Sequence, residues 1–182
     1  MRALVICSML AVGMVQVGQG MSVQAKAWLG QWLLERAWMA GTERGSAVSP
    51  WRGAVGQPVA RLKLPRLGID RLVLDSADTP TLAWGPGLET GPAGHRLIAA
   101  HRDTHFRFLE HVKEGDRMAL ETLDGASERW QVVDRRVVDS RSTRIDMALN
   151  EKRLTLVTCY PFDAARAGGP LRLMVTLKPV QS

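Results

Sequence analysis

Cys159 closes the run Leu154-Thr155-Leu156-Val157-Thr158 and is followed by Tyr160-Pro161, where a regular pattern must stop. A thiol at the end of a strand projects from a rigid element into the cleft formed by the adjoining loops, a placement that suits a nucleophile. It equally suits a small packing residue, because free cysteines are among the most buried side chains. The neighbours must decide between the two.

An unperturbed thiol, with a pKa of about 8.5, is mostly protonated at neutral pH, so a nucleophilic cysteine needs a base or a cation beside it. All four histidines lie upstream of it in one stretch: His95, His101, His105 and His111. His101 is the best placed, since it follows the apolar run Leu97-Ile98-Ala99-Ala100 and precedes the polar turn Arg102-Asp103-Thr104. His105, one turn further, is a candidate for the substrate cleft, whereas His111 reads as an ordinary helical position and His95 as a solvated turn residue. Acyl chemistry also requires a donor for the developing oxyanion. Arg172 opens the period-two run Leu171 to Leu177 after the turn Gly168-Gly169-Pro170, and if that strand is antiparallel to the cysteine strand its guanidinium emerges near Cys159. Arg166, inside the loop, ranks below it. Asp103 is a further candidate for orienting His101, although it follows closely in sequence. Thr158 and Phe162 are candidates for positioning substrate, and Thr158 also has an adequate explanation as a β-branched strand residue.

These residues must be held by a strand-rich scaffold. Val59 to Leu64 and Ile69 to Leu74 alternate about a Pro65 to Gly68 turn, and Arg117 to Leu123 faces Arg129 to Asp134 across Asp124-Gly125, a hairpin signal. Val137-Val138 leads into an irregular stretch before Leu154. Many short strands with turn punctuation predict a mainly β fold, a closed or nearly closed barrel. The 182 residues suffice for one such domain, at 59–182, plus an N-terminal extension. The net charge of +6 fits an anionic partner, but the basic residues are scattered and no nucleic-acid motif is present. An anionic membrane surface is the more economical match.

Residues 1–23 form that extension's first part, an apolar segment read as a signal anchor or a cleaved signal peptide, with Ala25-Lys26-Ala27 able to serve as a cleavage site. Cys7 within it is read as packing. Residues 24–41 predict an amphipathic helix with Lys26, Gln31 and Glu35 near one face and Trp28, Leu29, Trp32 and Leu33 on an apolar one. Lying in the headgroup layer and packing on the catalytic domain both fit this pattern. Residues 42–58, rich in Gly, Ser and Pro, read as a linker.

The cysteine segment Leu154-Thr155-Leu156-Val157-Thr158-Cys159 resembles the Thr-Leu-x-Thr-Cys active-site strand of the sortases. Ala99-Ala100-His101-Arg102-Asp103 is similar to their histidine segment, and Arg172 to their arginine. The likeness covers about Val59 to Val180, and three motifs agreeing in order are more specific than any one. His101-Arg102-Asp103-Thr104-His105-Phe106 with Cys159-Tyr160-Pro161-Phe162-Asp163 resembles the proteobacterial sortases, near classes D and E. The resemblance implies an eight-stranded barrel with short helices, which Thr79 to Leu82 and Thr104 to Val112 would supply. It implies a cysteine transpeptidase that cleaves a Leu-Pro-x-Thr-Gly-like C-terminal sorting signal through a thioacyl enzyme and passes the protein to an amine. It also implies a retained single-pass anchor with the catalytic domain on the extracytoplasmic side and a partner protein bearing the sorting motif. The sequence carries no acidic loop cluster suited to calcium and no zinc spacing among its histidines, so no metal or other cofactor is expected. A papain-like hydrolase is opposed by the order His before Cys, and an L,D-transpeptidase by Val157-Thr158 where its histidine would stand. A cysteine protease of the same fold and a non-catalytic membrane-tethered barrel are the remaining alternatives.

Overall fold

Strict alternation of buried and half-buried residues in β1 (Pro58–Leu64) gives one wall of a barrel whose interior holds Ala60, Leu62 and Leu64. The computed structural model describes residues 25–148, 151–164 and 168–180. The remaining strands are β2 (Ile69–Leu74), β3 (Gly87–Thr90), β4 (Arg96–Ala99), β5 (Arg117–Thr122), β6 (Ser127–Asp139), β7 (Leu154–Cys159) and β8 (Leu171–Pro179). They close in the order β1-β2-β3-β4-β7-β8-β6-β5, with β5 paired back to β1. Closure gives each of these eight strands a neighbour on both sides. Trp130, Phe106, Met118 and inward leucines from β1, β5, β7 and β8 fill the centre, each buried side chain of Leu size contributing about 1.5–3 kcal/mol.

The β1–β2 and β5–β6 hairpins match the sequence reading, and their turns place Gly68 at φ 63° and Gly125 at φ 80°, a region that glycine enters without steric cost. β6 differs from expectation. It runs past the expected end at Asp134 to Asp139 because Arg135 to Asp139 pair with β8, and the expected irregular stretch follows only after that. The short helix expected at Thr79–Leu82 is present as α2, capped by Asp78 accepting from the Thr81 amide at 3.0 Å. The helix expected over Thr104 to Val112 is a 3₁₀ turn at Arg107–His111.

The N-terminal helix α1 spans residues 25–44 and packs on the outside of the barrel. Its inward face is Gly30, Leu34, Ala37, Trp38 and Gly41, a spacing of three and four residues. A Cβ at Gly30 would meet the Trp84 ring at 2.5 Å, so the helix approaches closely only because that residue is glycine. Leu34 and Trp38 join Leu72, Leu74, Trp51 and Trp84, the last two rings in edge contact at 4.9 Å. The packed face is therefore centred on Leu34 and Trp38 and is not the Trp28, Leu29 and Trp32 face read from the sequence. Gln31 donates to the Trp84 carbonyl at 2.9 Å and Glu35 pairs with Arg61, while Trp28, Leu29 and Trp32 are exposed. The segment read as a linker carries Trp51 into that same cluster. Among the described residues no helix is long and apolar enough to cross a membrane, and the anchor expected at 1–23 lies outside them.

Candidate active site

The thiol's surroundings follow from strand register. β4 and β7 are parallel neighbours, with Ile98 opposite Leu156 and Ala99 opposite Val157. The pairing continues beyond the ladder, because the Ala100 amide donates to Val157 O at 3.2 Å and the buried Thr158 hydroxyl donates to Ala100 O at 2.8 Å. The next residue along each chain is His101 and Cys159. Ile98, Ala100, Leu156 and Thr158 point into the barrel, so His101 and Cys159 share the outward parity. On the other side of β7, antiparallel β8 sets Arg172 directly opposite Cys159. Neighbouring β4, β7 and β8 therefore bring histidine, cysteine and arginine together at one end of the barrel, on the outer face.

Cys159 is half-buried and His101 exposed. Together with Arg102, Thr104, Tyr160 and Gly169 they line a cavity of about 340 Å³. The thiol is accessible rather than sealed in the core. Arg172 borders the adjoining groove of about 280 Å³, which Val138, Ile145, Val157 and Met174 make mostly apolar. Its Nη1 donates to Gly169 O at 2.6 Å and to Leu171 O at 2.8 Å, and among the described residues no carboxylate pairs with it. The rival Arg166 lies outside the described residues.

The other residues singled out from sequence are dispersed. Asp103 lines the cysteine cavity, but its carboxylate is engaged by Arg102, at 2.7 Å to Nε and 3.0 Å to Nη2, rather than by His101. Arg102 holds that carboxyl below the usual range. Thr158 is 2% exposed and ties β7 to β4 from inside the barrel. Phe162 is in the barrel core, in edge contact with Tyr160 at 6.2 Å, and does not line the cysteine cavity. His105 lines a separate cavity with Gln31 and Glu35 of α1, where burial lowers its pKa. His95, read as solvated, is buried under the loop that follows β6, its Nε2 3.4 Å from Thr155 Oγ1. Burial pushes its pKa down.

Sequence reasoning missed Arg102, which looks like a solvated loop cation and is 5% exposed. Its only sequence signal was its place between His101 and Asp103. It missed too that Tyr160 and the glycine pair Gly168-Gly169 would border the thiol.

Fold and site together define a closed β-barrel with cysteine, histidine and arginine at one end of three neighbouring strands. A sortase-domain family model matches residues 62–180, and the chain belongs to the sortase family. Sortase D of Bacillus subtilis is 27% identical over 127 residues, covering 66% of this chain and 64% of that protein, so the chain spans a little under two thirds of its length. Among solved structures, sortase C-1 of Actinomyces oris aligns with a TM-score of 0.57 at 28% identity, over 69% of this chain and 75% of the other. Sortase A of Corynebacterium diphtheriae aligns with a TM-score of 0.59 at 23% identity, over 84% of this chain and 85% of the other, which shows the shared fold.

Proposed function

We propose that this chain is a cysteine transpeptidase that cleaves a C-terminal sorting signal similar to Leu-Pro-x-Thr-Gly and joins the released carbonyl to an amine. The observation that carries this reading is the placement of Cys159, at the end of β7, between His101 just beyond the end of its neighbour β4 and Arg172 on its neighbour β8. The Cys159 thiolate attacks the scissile carbonyl carbon, and the carbonyl electron pair moves to oxygen. Arg172, whose charge is never lost and whose Nη1 anchors it to the Gly169 and Leu171 carbonyls, directs its other N–H groups at that oxygen. As the tetrahedral species collapses, the C–N bond breaks and His101 as imidazolium protonates the departing amine. An incoming amine then displaces the thiolate and gives its proton to His101. Where water takes that role, the outcome is hydrolysis.

The apolar groove beside Arg172 fits the apolar residue that begins such a motif. The HRDTHF and CYPFD segments support a place among the proteobacterial sortases near classes D and E. The apolar segment 1–23, with Trp28, Leu29 and Trp32 exposed just after it, supports a membrane-anchored protein whose catalytic domain acts on the extracytoplasmic side. Its partners are then the membrane, a substrate protein carrying the sorting signal and an amine acceptor. Incubation with a quenched fluorescent sorting peptide and an amine, followed by mass spectrometry of Cys159, tests the reading. A thioester on Cys159 and an amide product support it, and turnover by a Cys159→Ala protein refutes it.

A further inference from the structure

Arg102 is a cation removed from solvent, and it bridges two segments that are distant in sequence. Its Nε and Nη2 hold Asp103 in a fork. Its Nη1 donates to Pro161 O, and Nη2 also donates to Ala164 O at 3.1 Å. Those acceptors lie 59 and 62 residues away, in the turn that leaves β7 just after Cys159. One guanidinium therefore ties the segment beginning at His101 to the segment following the thiol, and it lines the cavity that both border. Burying such a charge is costly unless each donor finds a partner. The partners here are a carboxylate and two backbone carbonyls.

We propose that Arg102 is a positioning residue for the thiol and imidazole: it clamps the Tyr160–Ala164 turn to the His101 loop and so sets the gap in which His101 and Cys159 meet one peptide group. The inference rests on the sortase reading given above. The clamp needs a planar, multi-donor cation, because four N–H bonds leave three separate nitrogens toward acceptors on two segments, a pattern that a single ammonium cannot span. Asp103 has a defined part in the clamp. It neutralises and aims the guanidinium, so its carboxylate is engaged by Arg102.

Misplacing reacting groups by about 1 Å can lower a rate by about 100-fold without any change in the groups themselves. Arg102→Lys and Asp103→Asn are therefore expected to lower kcat for sorting-peptide cleavage by about 10- to 100-fold with KM little changed. Arg102→Lys should show this loss although it keeps the charge. Each variant is compared with the parent by thermal unfolding, and kcat is read on the folded fraction. In parallel, iodoacetamide labelling of Cys159 reports whether the thiol remains accessible without any substrate. Folded variants with a labelled thiol and reduced kcat support the clamp. Parental kcat in folded Arg102→Lys overturns it, as does a loss confined to KM or one explained wholly by unfolding. Failure of the parent protein to cleave or acylate on any sorting peptide would instead sink the transpeptidase reading.

Discussion

Cys159 and Arg172 are Cα partners across the antiparallel β7–β8 ladder, yet they border different hollows. The thiol faces the cavity it shares with His101, and the guanidinium faces the apolar groove containing Val157 and Met174. Side chains two apart on β7 and β8 share the outer face, so the groove leads along the same surface to the thiol. A peptide laid there would bring an apolar residue to Met174 and a carbonyl between sulfur and guanidinium.

Arg172→Lys tests that crossing point. A lysine keeps the charge but not the fork that is anchored to Gly169 and Leu171. Loss of one oxyanion donor typically costs about 2.7–4 kcal/mol, so kcat should fall by about 100- to 1,000-fold. Labelling of Cys159 by a small alkylating agent should persist, since it needs no oxyanion donor. Peptide turnover at the parental rate would remove Arg172 from the mechanism.

Thr158 was a candidate substrate contact, but its hydroxyl is buried against Ala100 O at 2.8 Å. Thr158→Val keeps the shape and deprives that carbonyl of a donor. Loss of a buried hydrogen-bond partner costs about 1–3 kcal/mol, to be read from denaturant unfolding. Because the bond joins the ends of the His101 and Cys159 strands, kcat should fall while KM holds. A rise in KM with unchanged stability would restore the direct contact.

How much of this was legible in the sequence depended on the range of the interaction. The two hairpins are local, and Gly68 and Gly125 mark their turns, so pattern and turn chemistry located them. The β4–β7 pairing joins segments about sixty residues apart and is set by closure of the barrel, so no local signal announces it. Local pattern placed His101 and Cys159 each at the end of an apolar run, but that the two runs are neighbours was carried only by family resemblance. Arg102 was missed because a charged loop residue is normally solvated, and its partners are backbone carbonyls that every residue carries. Whether α1 packs on the barrel or lies in the headgroup layer stayed open in the sequence because the helix is apolar on two sides, and the bulky tryptophans masked the Gly30, Leu34 and Ala37 face that packs.

The loop leaving β6 gives a pH-dependent test. Asp139 ends that strand and accepts from the Arg141 backbone amide at 2.9 Å and from its guanidinium. The side-chain bond from Arg141 is the larger cause, and with the amide it lowers the Asp139 pKa from 3.8 to about 2. A depressed carboxylate pKa contributes stability that is complete above about 3.8 and is lost as pH falls toward about 2. Titration of the Asp139 carboxyl by NMR should show the lowered midpoint, and Arg141→Ala should raise it. The same variant should loosen the loop that carries Thr143 and Ile145 to the groove, seen as a higher KM for the sorting peptide. An ordinary carboxylate midpoint in the parent protein would dismiss the contact.

The two sides of α1 should separate by experiment. Leu34 is 1% exposed and packs with Trp38, Leu72 and Leu74, so Leu34→Ala should cost about 2–5 kcal/mol of stability if the helix unfolds with the barrel. Trp28 and Trp32 are 71% and 44% exposed on the opposite side, with Arg36 4.9 Å from the Trp32 ring centroid. Replacing both by serine should change stability by no more than about 0.5 kcal/mol, as exposed substitutions usually do. An indole flanked by a cation suits the lipid headgroup layer. In full-length protein reconstituted into vesicles containing anionic lipid, brominated lipid should therefore quench the parent's fluorescence and quench the double variant much less. Equal quenching of the two proteins would show that this face does not meet the bilayer, whereas a large loss of stability in the double variant would show that it packs on protein instead.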